Sequence, residues 1–248
     1  MRPRPPRARR GGTPASDAGG RPPAGGLLDA SFFARPTPEV ARDLLGAYVF
    51  STVDGERVGG RIVETEAYLG PGDPGSHAAT RAVTARNAVM YAAPGTAYVY
   101  FTYGQHHMLN LVTEPEGRPG AVLVRAVEPA TGLEVIRARR GGVPDRSLMD
   151  GPGKVAQALG LDLGDNGAPL GGGRLELRAG QGPAEPVVVS GRVGLTEGHD
   201  LPLRFYLGGH PGVSRGRTGP PTTKRRGTRA AAHDSPTSDE DTNARRTP

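Results

Sequence analysis

Glu64, Glu66 and Tyr68 stand at alternate positions in Glu64-Thr65-Glu66-Ala67-Tyr68. In an extended chain side chains alternate between faces, so the three project from one side of a strand. His77 follows, and the run Tyr98-Val99-Tyr100-Phe101-Thr102-Tyr103-Gly104 supplies further rings. A carboxylate among aromatic rings suits an enzyme that holds a flat heterocycle and activates water beside it. Glu66 is the candidate for that water, and Glu64 on the same strand face is its rival. The plain alternative is that both carboxylates face solvent.

Other residues stand out for lack of a packing explanation. Tyr103 falls in a turn, where a bulky exposed ring does nothing for a core but is placed to wedge between bases. Arg125 lies inside the apolar strand Val122-Leu123-Val124-Arg125-Ala126-Val127, so it requires a partner if buried. Gly151-Pro152-Gly153-Lys154 is not a phosphate-binding Walker loop, because Leu148 and Val155 break the pattern. It does set free N–H groups and Lys154 at a helix start, which fits either a phosphate contact or a simple tight turn.

Absences narrow the chemistry. The chain has no Cys and no His-Glu-x-x-His pair, which excludes thiol nucleophiles and argues against zinc, and no metal or other cofactor is expected. Lys154 and Lys224 are the only lysines, leaving few amines to form a Schiff base. No apolar run approaches the length of a membrane span, and the Arg-rich start lacks the apolar core of a secretory signal. A cytoplasmic monomer is expected, nucleoid-associated if bacterial.

The elements that must position these residues are readable from turn and cap signals. Thr37-Pro38-Glu39 reads as an N-cap, a first-turn proline and an acidic first turn, with Gly46 closing the helix. Ala47–Val53 and Arg57–Ala67 read as strands joined at Asp54-Gly55, with a bulge or a close backbone approach at Gly59-Gly60. Residues 70–87 form a long irregular loop, the kind that is often functional. Thr96–Phe101 and His107–Thr113 make a protruding hairpin, and Ala121–Val127 a further strand. Pro129–Arg140 and Gly153–Leu159 read as helices, and 174–178, 186–195 and 201–207 as strands. Neighbouring strands dominate, so the expected fold is mixed α/β (α+β): one domain with a curved, mostly antiparallel sheet or open barrel and surrounding helices.

Charge divides unevenly along the 248 residues. The net charge is +6, yet residues 1–26 hold six Arg against one Asp, and 209–248 hold eight basic against four acidic residues. Residues 27–208 are therefore net acidic, and the basic balance describes the ends. Both ends are poor in large apolar side chains and read as disordered tails flanking a 27–208 domain. Such arms would add salt-sensitive attraction to phosphate.

Read together, Glu64-Thr65-Glu66-Ala67-Tyr68-Leu69-Gly70-Pro71, Asp73, His77, Arg86-Asn87, Pro94-Gly95-Thr96, Tyr98-Val99-Tyr100 and Tyr103-Gly104 resemble the mammalian-type alkyladenine (3-methyladenine) DNA glycosylases. The likeness continues through Leu109-Asn110, Val124-Arg125-Ala126-Val127-Glu128-Pro129, Gly151-Pro152-Gly153-Lys154 and Pro202-Leu203-Arg204-Phe205-Tyr206. It implies a monofunctional enzyme that flips a damaged purine from duplex DNA and hydrolyses its N-glycosidic bond. The range implied spans 3-methyladenine, 7-methylguanine, hypoxanthine and ethenoadenine. Glu66 falls on the family's water-activating glutamate, and Arg125 on a residue near that glutamate and the target phosphate. Tyr68, His77 and Tyr100 fall on the base-stacking pocket, and Tyr103 on the intercalating residue. Asn110 falls on the residue that crowds the exocyclic amine of guanine. The rival reading is a non-catalytic nucleic-acid-binding module of the formyltransferase C-terminal-domain type, which needs a basic surface but no caged Glu66.

Overall fold

Eight antiparallel strands carry the fold of the computed structural model, which describes residues 25–214 apart from Tyr103. They are β1 (Tyr48–Val53), β2 (Glu56–Tyr68), β3 (Ala97–Thr102), β4 (His106–Val112), β5 (Ala121–Thr131), β6 (Leu175–Arg178), β7 (Val187–Ser190) and β8 (Arg204–Leu207). The order across the sheet is β3-β4-β5-β2-β1-β6, with β8 bridging β2 to β7. Strand β2 explains the curl. One side pairs along its length with β5, while the other pairs first with β1 and then, over Glu64–Glu66, with β8. One long strand shared by two partners in succession bends the sheet into a half-barrel, as the sequence predicts.

Four short helices flank it: α1 (Ala30–Phe33), α2 (Thr37–Asp43), α3 (Leu133–Arg139) and α4 (Pro152–Leu159). Val40 and Ala41 of α2 and Val155 and Leu159 of α4 bury their apolar faces in one core with Ile62 and Leu109 of the sheet. The β3–β4 hairpin outruns its neighbour, since β4 pairs with β5 only over Asn110–Val112. Its outer part protrudes, and the tip position Tyr103 lies outside the described residues.

Four expectations are corrected. Thr37 is not the N-cap of α2 but its first residue, and its N–H donates to Glu114 Oε1 at 2.8 Å. A cap supplied 77 residues away leaves no local signature. Pro129 does not start a helix. It continues β5 opposite Gly60, at an irregularity between Gly59 and Gly60 where the ladder tolerates a missing N–H. A Cβ on Gly60 would fall 1.9 Å from the Glu128 carbonyl oxygen, so close backbone approach demands glycine here. The strand expected over 186–195 stops at Ser190, because β8 offers only four pairing positions. Finally, the folded part runs past 208: Ser214 is buried against Glu64. Residues 1–24 and 215–248, the bulk of the expected tails, lie outside the described residues.

Candidate active site

Glu64 and Glu66 are both fully buried on β2. Two buried carboxylates are costly unless cations and hydrogen bonds satisfy them. The register of β2 and β5 provides the cation. Ile62 pairs with Val127, Glu64 with Ala126 and Thr65 with Val124, so Arg125 is skipped in the ladder. A bulge re-aims its residue, and the Arg125 side chain reaches both acids. Its Nε donates to Glu64 Oε1 at 3.1 Å and its Nη1 to Glu66 Oε2 at 3.2 Å. Burial works against its charge, and the adjacent Glu66 and Glu64 more than offset that, so its pKa is raised.

The remaining partners distinguish the two carboxylates. Glu64 accepts four hydrogen bonds: from Arg125, from Arg204 Nε on β8 at 2.7 Å, and from the N–H and hydroxyl of Ser214 at 2.6 and 2.9 Å. Glu66 accepts three: from Arg125, from the Tyr68 hydroxyl at 2.8 Å, and from the Val193 N–H at 2.7 Å on its other oxygen. An ionised carboxylate offers about four acceptor sites. Three of Glu64's donors fall on Oε1 and one on Oε2, so each carboxylate keeps one oxygen with a single donor; what separates them is that every partner of Glu66 lines a cavity, whereas Arg204 and Ser214 do not.

A cavity of about 460 Å³ opens beside Glu66. That lies within the roughly 300–1,000 Å³ usual for small-molecule sites. Tyr68, Arg125 and Val193, the three partners of Glu66, all line it, and the carboxylate sits directly behind them. His77, Tyr98, Tyr100 and Asn110 line it as well. His77 and Tyr100 meet edge to face with centroids 4.7 Å apart, and Tyr98 lies 5.2 Å from Tyr100. Asn110 faces Tyr98 across the hairpin and donates to its carbonyl oxygen at 3.2 Å. Lys154 does not line the cavity; its ammonium pairs with Asp150 at 2.7 Å.

His77 is held by its loop and by Tyr98. Asn87 is buried and donates to the backbone carbonyls of His77 and Ala82, each at 3.0 Å, which pins the loop from within. The Tyr98 hydroxyl donates to the Arg86 carbonyl oxygen at 2.9 Å and lies 2.9 Å from His77 Nδ1. With its one proton committed to Arg86, the hydroxyl accepts from Nδ1–H, which leaves Nε2 as the imidazole's acceptor. Burial, and then the charge of Arg86, lower the His77 pKa from 6.5 to about 4. Burial and the neighbouring Glu66 charge push the Tyr68 phenol well upward, so it remains a donor.

The His77 shift has a measurable consequence. Between about pH 4 and 6.5 the unfolded chain binds a proton that the folded protein does not. His77 therefore makes stability rise with pH through that window and level off above it. His77→Gln is expected to flatten this dependence, so the stability difference between wild type and variant should narrow as pH falls. Urea midpoints across the range measure it; parallel profiles would contradict the buried neutral imidazole.

Tyr68, His77, Tyr100, Asn110 and Arg125 thus line one cavity, and Glu66 is hydrogen-bonded to three of the residues in its wall. Val193, Arg192 and Ser214 were not anticipated. Only the buried Arg192 carried a signal, as a charge within Val187-Val188-Val189-Ser190-Gly191-Arg192-Val193.

The methylpurine-DNA glycosylase family model matches residues 31–211. A protein of Carboxydothermus hydrogenoformans named "Putative 3-methyladenine DNA glycosylase" is 47% identical over 191 residues, covering 76% of this chain and 99% of its own length. Proteins of the same name from Methanoculleus marisnigri and Chlorobium luteolum are 49% and 46% identical, over 76% and 77% of this chain and 98% and 97% of their own lengths. The match spans the β2 strand that carries Glu66, the loop that carries His77 and the strand that carries Arg125, and the chain belongs to the methylpurine-DNA glycosylase family.

Proposed function

We propose that the protein is a monofunctional DNA glycosylase that takes an everted, alkylated or deaminated purine into the cavity and cleaves its N-glycosidic bond with water. The observation that carries this reading is the unused acceptor site of Glu66 behind a tyrosine-lined cavity. A water held there gives its proton to the carboxylate as its oxygen attacks the sugar carbon. The electron pair of the broken bond leaves with the base, and an abasic site remains. The transition state carries positive charge on the sugar, which the Glu66 carboxylate stabilises.

The other residues take binding roles in this reading. Tyr68, with His77 and Tyr100, stacks the planar base, each stack contributing roughly 1–3 kcal/mol. Cationic alkylated purines gain further attraction from the electron-rich rings. Asn110 narrows the cavity against purines with an extra exocyclic group. Tyr103 fills the gap left in the helix, and Lys154 meets a backbone phosphate on exchanging its partner Asp150. Damaged pairs open at lower cost, so eversion itself selects among bases.

The test uses duplexes carrying a single hypoxanthine, ethenoadenine or 3-methyladenine. The protein should release the base and leave strands that break only after alkali. Breakage without alkali would overturn the water mechanism. Failure to release any of the three would overturn the glycosylase reading in favour of a binding module.

A further inference from the structure

Arg192 is the largest of the fully buried side chains, and the chemistry above makes no use of it. It lies in the segment after β7, immediately before Val193. Its Nη1 donates to the Ala67 carbonyl oxygen at 2.9 Å and to Asp73 Oδ2 at 2.7 Å. Its Nη2 donates to Asp73 Oδ1 and to the Gly198 carbonyl oxygen, the latter at 3.0 Å. Its Cζ stands 4.7 Å from the centroid of the Tyr68 ring. Tyr68 and Val193 line the cavity and Arg192 does not, so the guanidinium backs the ring from outside.

The surroundings are shaped to admit this group. A Cβ on Gly75 would fall 2.7 Å from Nη2, and one on Gly198 would fall 3.0 Å from it. Asp73 extends the cradle by accepting from the N–H groups of Leu69 at 2.9 Å and Gly75 at 3.1 Å. A buried ion pair is weak support for stability, because apolar residues of similar volume often serve as well. What an apolar residue cannot do is bond at once to β2, to the 69–75 loop and to Gly198. A planar fork does so, and a lysine ammonium does not reproduce it.

We propose that Arg192 is a positioning residue for Glu66: paired with Asp73, it sets the Tyr68 ring and pins the backbone that delivers the Val193 N–H to the carboxylate. The proposal rests on the glycosylase reading of Glu66, but the pinned geometry is observable without turnover.

The full-length Arg192→Lys protein tests it, with single-turnover excision expressed per active site titrated against an abasic-analogue duplex. The rate constant should fall by roughly tenfold to a hundredfold, the scale of a small misplacement of a reacting group. Affinity for the analogue should stay at the wild-type value. In parallel, the Val193 amide should shift upfield and exchange faster by NMR, as it also should in Glu66→Gln. An unchanged rate per active site together with an unmoved Val193 amide would overturn the proposal, whatever the melting temperature. Should Arg192→Lys fail to fold, the double variant Asp73→Asn/Arg192→Gln, which keeps amides but no charges, carries the same comparison. A wild type without excision would count against the glycosylase reading, and the Val193 amide would still decide this one.

Discussion

Glu66→Gln is expected to bind lesion-containing duplex as tightly as wild type and to release the base about a thousandfold more slowly, the middle of the range for loss of a general base and its charge. The substitution keeps the volume and removes the basic oxygen. Three donors converge on Glu66, and an amide can satisfy them only in part, so a small loss of stability should accompany the loss of rate. Single-turnover excision and equilibrium binding measure the two effects separately. Glu64→Gln is the paired control. Glu64 has four donors, and two of its partners, Arg204 and Ser214, lie away from the cavity. Its variant should lose stability yet retain most of its rate per folded molecule. Equal rates for wild type and Glu66→Gln would remove Glu66 from the mechanism.

Arg125→Met should be the most destabilising single change at the site. It withdraws a cation that bridges two fully buried carboxylates, and breaking a buried pair by removing one partner costs about 3–5 kcal/mol. The direction of its pH dependence follows from the same geometry. Without Arg125, Arg204 still pairs with Glu64 while Glu66 is left buried with no cation, and acid relieves the cost of an unpaired carboxylate. The deficit relative to wild type should therefore be large at neutral pH and smaller in acid, as read from urea unfolding at both. Arg125→Lys should recover part of the stability but little of the excision rate, because an ammonium lacks the fork that spans both acids. A pH-independent deficit would show that the arginine fills space and does not neutralise charge.

Much of the fold was legible because its signals are local. Asp54-Gly55 joins β1 to β2 as a hairpin turn, and Gly59-Gly60 marks an irregular pairing with β5. The errors arose where a distant segment supplied the missing partner. Thr37 looked like a cap because its true acceptor, Glu114, arrives from another part of the chain. Residues 186–195 read as one strand because their centre is apolar and β-branched, yet β8 ends the pairing at Ser190 and releases Arg192 to Asp73. The domain end was set too early because residues 209–214 are polar and glycine-rich. Composition does not reveal that Ser214 donates twice to a buried glutamate.

The amino-acid order alone determined that Glu64, Glu66 and Tyr68 share a face, since strand geometry fixes a period of two. It also determined that rings and a histidine were at hand to surround them. Which glutamate stands behind the cavity wall was decided only by the folded chain. The donors that surround Glu64 and Glu66 come from β5, β8, the Val193 segment and Ser214, as many as 150 residues away. Hydrogen bonds act over a few ångströms in space, and no pattern along the chain encodes which distant donors the sheet's curl will bring within that reach.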